Sequence, residues 1–200
     1  MNSKPKERNQ PSEIKSSSAK FNSPPFDGQL VIYELIGLLN TTFGLTHCPG
    51  RNDRHSKQKL WDRNLLEDFL EISNWGADVL ISLNEAQEFQ QLGVPEFPEI
   101  ARQQNFDWYH LPIQDFSAPD IIFEEAWIKN REAILGHIGT GSKIIIHCAA
   151  GLGRTGTFTA KLLTKFGWDP QIAINEVRRV RPGAIERQIQ ERYILNEKPL

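Results

Sequence analysis

The chain contains short stretches in which β-forming apolar residues follow one another without a break. Three of them cover Leu30–Tyr33, Val79–Leu83 and Ile144–Ile146. A strand with one face in water alternates apolar and polar residues, so uninterrupted apolar runs predict strands that are buried on both faces. Such strands are typical of a parallel sheet whose crossover helices cover its faces. A further strand is predicted over Phe106–His110.

Segments with helical periodicity separate these strands and follow the last one. They cover Leu60–Ser73, Glu85–Leu92, Phe97–Gln104, Ile121–Leu135, Thr155–Phe166, Pro170–Val180 and Ile185–Asn196. Strands and helices therefore alternate until the last strand, after which the chain is helical. This order predicts an α/β fold with a central, mostly parallel, twisted sheet flanked by helices.

Length and composition limit how this fold is organised. The 200 residues suit one domain, and 39% apolar with 10% aromatic residues can form a hydrophobic core. Residues 1–28 are rich in Ser, Pro and Lys, so a disordered basic tail is predicted there, and the folded domain is assigned to residues 29–200. The net charge of −2 argues against an overall field that would attract nucleic acid.

Cysteine usage and apolar patterning indicate the compartment. Two cysteines, Cys48 and Cys148, are too few for the disulfide framework of a small secreted protein. The N-terminus has no apolar signal-peptide core. The most apolar stretch, Leu30–Leu39, is interrupted by Glu34 and is shorter than a membrane-spanning helix. We therefore expect a cytoplasmic protein with no membrane partner.

The most informative segment runs from Ile144 to Gly156 and reads Ile-Ile-Ile-His-Cys-Ala-Ala-Gly-Leu-Gly-Arg-Thr-Gly. It predicts a buried strand that ends at His147, then a glycine-containing loop, then a helix. Ligands of open α/β sheets bind at the carboxyl ends of strands, and the free N–H groups of a helix N-terminus attract anions. The two loop glycines would let the amides turn inward around a phosphate. The predicted phosphate-binding residues are Ala149, Ala150, Gly151, Leu152, Gly153 and Arg154.

Two side chains would give this loop its chemistry. The helix end and the loop amides would favour the thiolate of Cys148, which is the nucleophilic form of a cysteine. The planar guanidinium of Arg154 could hold two phosphate oxygens and meet the charge that develops on them during transfer. His147 precedes Cys148 on a strand, so the two side chains should point to opposite faces. His147 is therefore expected to orient the loop from behind and not to act as a base.

This segment resembles the signature loop of the cysteine-dependent protein tyrosine and dual-specificity phosphatases. Gly44–Gly50 and Arg181–Ile185 are similar to stretches of the kinase-associated phosphatase branch, the cyclin-dependent kinase inhibitor 3 group. The resemblance covers about residues 30–195. It implies a protein tyrosine phosphatase-like sheet, a cysteinyl-phosphate intermediate and no metal or other cofactor. It also implies that the Thr155 hydroxyl helps the Cys148 sulfur to leave, and a helix-capping threonine is the alternative.

The leaving oxygen of a phosphoester needs a proton, so a carboxylate should reach the loop. The segment after the predicted strand Phe106–His110 offers Asp115 and Asp120. Ser117 and Asp120 form an S-x-x-D capping box before an apolar run, which gives Asp120 a structural role. Asp115 has no such role and fits the acid loop of the family, so we predict it as the general acid. The alternative is an exposed loop residue that makes an Asx-turn.

The resemblance implies one further site residue, near the C-terminus. In relatives with the Arg-Pro-Gly-Ala-Ile stretch, a glutamine can position the water that hydrolyses the phosphoenzyme, and Gln190 matches best by spacing. A surface glutamine without a function is the alternative. The nearby Arg178, Arg179 and Arg181 are expected to form a solvated helix face, and guidance of an acidic substrate is the alternative.

The predicted activity is hydrolysis of phosphate monoesters on phosphoproteins. Phosphotyrosine is the expected substrate, action on phosphoserine and phosphothreonine is left open, and the resemblance suggests a kinase as the phosphorylated partner. Uncharged loop residues favour phosphoproteins over phosphoinositides, although a phosphoinositide phosphatase and an inactive phosphoprotein-binding module remain alternatives. Residues 151–156 also spell the dinucleotide fingerprint G-x-G-x-x-G. That fingerprint needs a following strand that ends in an acidic residue, whereas a helix is predicted there.

Overall fold

The structure is a computed structural model that describes residues 28–53 and 61–197. The tail predicted for residues 1–28 lies outside the described residues except for Gly28. The strands are β1 (Tyr33–Ile36), β2 (Thr42–His47), β3 (Val79–Ser82), β4 (Asp107–His110) and β5 (Lys143–Cys148). The helices are a 3-10 turn (Leu38–Asn40), α1 (Leu65–Trp75), α2 (Ala86–Gln91), α3 (Phe97–Ala101), α4 (Ile121–Gly139), α5 (Gly153–Lys165), α6 (Pro170–Val180) and α7 (Gln188–Leu195).

The five strands form one sheet in the order β1-β2-β5-β3-β4. Strands β2, β5, β3 and β4 are parallel to one another, and β1 is antiparallel to β2. The sheet is therefore mixed and mostly parallel, as the sequence predicts. The central strand β5 has a parallel neighbour on each side, so its carboxyl end opens onto the edge where α/β sheets bind ligands.

Strand β2 is the one that the apolar pattern does not predict, because Gly44 interrupts its apolar residues. The structure explains this glycine. A Cβ at Gly44 would lie 2.5 Å from Cδ1 of Ile145 and 2.7 Å from Cγ2 of Ile32, so neighbouring side chains fill the space that its own would need. The predicted strand Leu30–Tyr33 is wrong in its bounds, since β1 begins where that run ends.

Helix ends follow local capping more closely than apolar periodicity. Helix α1 begins at Leu65 and not at residue 60, because the Asn64 side chain accepts hydrogen bonds from the backbone of the first turn. Helix α7 begins at Gln188 and not at Ile185, which has a φ of 58° that no right-handed helix tolerates. Helix α4 continues past the predicted end to Gly139, and α3 stops early at Ala101.

The sheet divides the apolar core into two parts. One contains Ile144 and Ile146 of β5 and packs against α4, α5, α6 and α7, with Phe123 and Phe158 at its centre. The other contains Ile145 and packs against α1, α2 and α3. The continuous apolar run of β5 is therefore buried on both faces, as predicted, and it holds the end of the strand rigidly. Within the described ranges no helix is long and apolar enough to cross a membrane.

Candidate active site

The predicted phosphate loop lies between the end of β5 and the start of α5. Cys148 is the last residue of β5, and Gly153 is the first residue of α5. Only 3% of Cys148 is exposed. A reacting group must therefore enter the loop to meet this thiol.

Two arginines bind the backbone of this loop from outside. Arg51 Nη1 donates to the carbonyl oxygen of Ala149 at 3.0 Å. Arg181 donates through Nη2 to Ala150 at 3.2 Å and through Nε to Gly151 at 3.1 Å. In a trans peptide unit the N–H points away from the C=O, so the amides of residues 150–152 face away from the arginines. Three amides turned to one side form a concave donor set that suits an oxyanion.

Arg181 contradicts the expectation of a solvated helix face. It is 7% exposed, and its guanidinium stacks on Tyr33 at 4.3 Å. Burial lowers its pKa, while the charges of Tyr33 and Cys148 act in the opposite direction. Arg178 is partly buried and donates to backbone carbonyls of the following turn, and only Arg179 remains on the surface. The expectation was wrong because α6 ends at Val180, where the chain turns back towards the loop.

The loop glycines are required by their neighbours, which the sequence does not reveal. Gly151 has a φ of 67°, and a Cβ there would lie 2.3 Å from the carbonyl oxygen of Thr46. A Cβ at Gly153 would lie 2.7 Å from Oε2 of Glu186 and 3.0 Å from Nε2 of Gln190. The loop is thus packed between β2 and the segment before α7, and any larger residue would displace it.

Arg154 is buried, and its guanidinium points into the site. Nη1 and Nη2 donate to the two carboxylate oxygens of Glu88 at 2.5 and 2.9 Å, and Nη1 also donates to the carbonyl oxygen of Ile113 at 3.0 Å. Nη2 lies 3.0 Å from Oδ1 of Asp115. Burial would lower the pKa of Arg154. The Glu88 hydrogen bond and the charges of Cys148, Glu88 and Asp115 outweigh burial, and they raise it.

Glu88 is a site residue that the sequence analysis missed. It is 8% exposed, it lies on α2 just beyond the carboxyl end of β3, and its Oε2 also accepts from the backbone N–H of Glu85. A paired guanidinium cannot rotate freely, so Glu88 sets the direction of Arg154. The available signal is an acidic residue in the first turn of the helix that follows β3, whose carboxyl end faces the loop.

The two candidate acids have different surroundings. Asp115 is half exposed, pairs with Arg154 and accepts from the backbone N–H of Phe116 at 3.0 Å. Asp120 accepts from Ile122 and Phe123 and is the N-cap of α4. The structural role predicted for Asp120 is confirmed, although it acts as the cap itself and not as the partner of Ser117. Only Asp115 contacts the guanidinium.

His147 is fully buried on the face of the sheet opposite the Cys148 core. Its Nε2 lies 2.6 Å from the hydroxyl of Ser82, which accepts a hydrogen bond from Trp108 Nε1 at 2.9 Å. The Ser82 hydroxyl links these two side chains, because its oxygen accepts from Trp108 and shares a hydrogen bond with the imidazole. Burial lowers the pKa of His147 to about 3, so the ring is neutral. It holds the end of β5 from behind, as expected.

Thr155 is fully buried in the first turn of α5. Its hydroxyl has no hydrogen-bond partner among the described residues. The capping alternative is wrong, because Leu152 occupies the N-cap position. An unpaired buried hydroxyl costs free energy in the resting protein, and this leaves it available to a reacting group.

Gln190 is buried, so the alternative of a surface glutamine is wrong. Its Nε2 donates to the carbonyl oxygen of Ser117 at 3.1 Å, and its Oε1 accepts from the backbone N–H of Arg187 at 3.2 Å. It therefore ties α7 to the loop that carries Asp115, directly beside Gly153. The Gly153 amide itself donates to Glu186 Oε2 at 2.9 Å, so one amide predicted to bind phosphate is already occupied.

A family model and two known proteins are similar to this chain in sequence. A family model described as a polymorphic toxin system, DSP-PTPase phosphatase, matches residues 57–168. Cyclin-dependent kinase inhibitor 3 of Mus musculus is 30% identical over 153 residues, which cover 76% of this chain and 69% of that protein. Tyrosine-protein phosphatase CDC14 of Saccharomyces cerevisiae is 36% identical over 76 residues, covering 38% of this chain and 13% of that protein.

Solved structures share the fold. Kinase associated phosphatase with its catalytic site cysteine substituted by serine superimposes with a TM-score of 0.72 at 25% identity, over 84% of this chain and 93% of that chain. PTPMT1 in complex with PI(5)P superimposes with a TM-score of 0.57 at 17% identity, over 82% of this chain and 92% of that chain, which shows the fold alone. From the family model, the mouse relative and the loop at the end of β5, we conclude that this chain belongs to the cysteine-dependent protein tyrosine and dual-specificity phosphatases.

Proposed function

We propose that this protein hydrolyses phosphate monoesters on phosphoproteins through a cysteinyl-phosphate intermediate. The observation that carries the proposal is the position of the Arg154 guanidinium, which is buried and pairs with both Glu88 and Asp115. Burial would lower the pKa of Arg154, but the Glu88 hydrogen bond and the charge of Cys148 raise it. These contacts support a site in which a nucleophile and an oxyanion-binding cation from one segment meet an acid from a second segment.

Substrate binding would use donors that the resting protein leaves available. The amides of residues 150–152 face the inside of the loop, and the Nε–H of Arg154 bonds to none of the described residues. A phosphate held by Nε and Nη2 would displace Asp115 from Nη2, because both anions compete for that edge of the guanidinium. The freed carboxyl group of Asp115 would then face the leaving oxygen.

In the first step the Cys148 sulfur attacks phosphorus, and an S–P bond forms as the bond from phosphorus to the leaving oxygen breaks. The protonated carboxyl of Asp115 gives its proton to that oxygen, which leaves as a hydroxyl group. A general acid of this kind typically raises the reaction rate by ~10²- to 10⁴-fold. The equatorial oxygens gain charge in the transition state, where the loop amides and Arg154 are already oriented.

In the second step water attacks phosphorus and the S–P bond breaks. The Asp115 carboxylate takes a proton from the water, inorganic phosphate leaves, and the sulfur departs as a thiolate. The unpaired hydroxyl of Thr155 would donate to this sulfur. Gln190, which lies between Ser117 and the start of α5, would help to orient the water. No step requires a metal.

The proposed substrate is a phosphoprotein, with a phosphorylated kinase as the candidate partner. The names of the relatives support this partner, since they are a cyclin-dependent kinase inhibitor and a kinase associated phosphatase. Ala149, Ala150 and Leu152 carry no charge, which favours phosphoproteins over phosphoinositides. A cytoplasmic location is part of the proposal and fits two free thiols.

Release of phosphate from 4-nitrophenyl phosphate tests the enzymatic proposal. The parent protein should turn over, and Cys148→Ser should be inactive while it still binds the ester, because a hydroxyl is a much weaker nucleophile than a thiolate. Equal rates in the two proteins would overturn the proposal. Binding without turnover in the parent would instead support the phosphoprotein-binding module.

A further inference from the structure

Glu186 is a carboxylate that the proposed reaction does not use. Its side chain is exposed, yet Oε2 accepts a hydrogen bond from the backbone N–H of Gly153 at 2.9 Å. This N–H is one of the donors at the positive end of α5 that have no partner within the helix. Glu186 therefore places a negative charge on a donor of the phosphate loop.

The backbone around Glu186 holds this charge in place. Ile185, the preceding residue, has a φ of 58°, and its carbonyl oxygen accepts from Arg178 Nη2 at 3.1 Å. The absence of a Cβ at Gly153 leaves the space in which the carboxylate lies. A carboxylate fixed in this way acts on every ligand that enters the loop, whereas a mobile surface carboxylate would be averaged over many positions.

Two of the cations beside the loop are paired with carboxylates, Arg181 donates to the loop carbonyls, and the guanidinium of Arg187 stacks on Phe116 at 4.5 Å. Arg154 is paired with Glu88 and Asp115, and Arg51 is paired with Asp53 at 2.7 Å. Within residues 28–53 and 61–197, Glu186 has no salt-bridge partner. The charge of Glu186 is therefore not neutralised by a direct ion pair with a described residue.

We propose that Glu186 is a specificity-determining residue that selects against negative charge beside the reacting phosphate. The inference rests on the proposed function and deepens it, because it names the substrate class. Preferred substrates are phosphoprotein segments whose residues on either side of the phosphorylated side chain are neutral. Acidic segments bind more weakly, because two like charges a few ångströms apart repel even in a partly aqueous site.

Two phosphotyrosine peptides that differ only in having Gln or Glu on both sides of the phosphotyrosine test this proposal. The parent should prefer the Gln peptide in kcat/KM by about tenfold at low salt, and added salt should reduce this preference. Glu186→Gln keeps an oxygen for the Gly153 amide and removes only the charge. It should reduce the preference by about three- to fivefold, mainly through KM of the Glu peptide. Glu176→Gln, a partly exposed carboxylate on α6 that pairs with Arg179, is the control and should retain the parent preference.

A preference that is the same in Glu186→Gln and the parent would overturn the inference. Affinities of the same peptides for Cys148→Ser, with and without Glu186→Gln, separate this result from a failure of the proposed function. If the parent hydrolyses neither peptide, the proposed function fails, and the two affinities still decide whether Glu186 discriminates against charge. If Glu186→Gln binds both peptides equally more tightly, Glu186 opposes phosphate in general and the proposed specificity is wrong.

Discussion

Arg154 is the residue on which the chemistry of this site depends most, and its surroundings divide its hydrogen bonds between two tasks. One edge of the guanidinium is fixed by Glu88, and the other can exchange Asp115 for a phosphate. A flexible lysine could not keep these two edges separate, since its charge has no fixed plane. Glu88 is therefore a positioning residue and Asp115 a candidate catalytic one.

Glu88→Gln should lower kcat/KM for 4-nitrophenyl phosphate by roughly 10- to 100-fold, because the amide nitrogen cannot accept from Arg154 and the side chain carries no charge. Binding of vanadate should weaken in the folded variant as well, which a loss of stability alone would not cause. Glu99→Gln, an exposed carboxylate on α3, serves as the control. Unchanged vanadate affinity in Glu88→Gln would rule out the positioning role.

Asp115→Asn should slow hydrolysis of phenyl phosphate by ~10²- to 10⁴-fold, because phenolate is a poor leaving group that needs a proton. The loss should be much smaller for 4-nitrophenyl phosphate, whose leaving group departs readily without one. Rates for a series of aryl phosphates check this expectation. An equal loss with both esters would mean that Asp115 does not protonate the leaving oxygen.

At the scale of elements, the phosphate loop keeps its shape through contacts from both ends of the domain. Arg51 follows β2 and Arg181 follows α6, and together they bind three consecutive carbonyl oxygens. Buried carbonyls that lose their donors cost about 1–3 kcal/mol each. The loop is thus preorganised by residues that lie outside the signature segment.

Arg181→Met should weaken binding of phosphate and vanadate and lower the free energy of unfolding by about 2–6 kcal/mol, because two loop carbonyls lose their partner. Arg179→Met is the matched control. Arg179 lies two residues earlier, on α6, but its guanidinium is exposed and among the described residues pairs only with Glu176, so both quantities should stay within about 0.5 kcal/mol of the parent. Titration calorimetry measures the affinities for phosphate and vanadate, and urea unfolding measures the free energy of unfolding. If Arg181→Met binds vanadate as tightly as the parent does, Arg181 does not preorganise the phosphate loop.

At the scale of the whole molecule, the two cores make folding depend on neutral buried histidines. Burial, followed by the charges of Arg63 and Arg181, lowers the pKa of His47 to about 3. Burial also lowers the pKa of His147 to about 3. In the unfolded chain both regain a pKa of about 6.5. Between pH 3 and 6.5 the unfolded state therefore binds more protons, and stability falls as pH falls.

We expect the free energy of unfolding to be nearly constant above pH 7 and to fall by up to about 1.4 kcal/mol per pH unit for each of these two histidines between pH 6 and 5. Urea unfolding at a series of pH values measures this slope. His147→Asn should reduce the slope by up to about 1.4 kcal/mol per pH unit, which is the contribution of one histidine. His137→Gln removes a partly exposed side chain that is paired with Asp107 and serves as the control, with the slope of the parent. A flat profile between pH 7 and 5 would contradict the neutral, buried state of both rings.

Much of this architecture could be predicted because it depends on local pattern. The run Ile144–Ile146 identifies the central strand, and Asp169 and Pro170 identify the start of α6. Strand β2 could not be predicted, because Gly44 is explained only by side chains from β5 and from the segment before β1. The sequence favours Asp115 over Asp120 because Asp120 is expected to have a capping role and Asp115 fits the acid loop of the family, and Asp120 does cap α4.

The amino-acid sequence by itself determined the strand–loop–helix segment that carries Cys148 and Arg154, because neighbours along the chain specify a turn and a helix start. It also determined the α/β class, through the length and continuity of its apolar runs. Only the tertiary structure decided that Glu88 orients Arg154, that Arg51 and Arg181 bind the loop carbonyls, and that Glu186 lies on the Gly153 amide. Those contacts join residues tens of positions apart, and a hydrogen bond depends on where two groups lie in space, which no local pattern specifies.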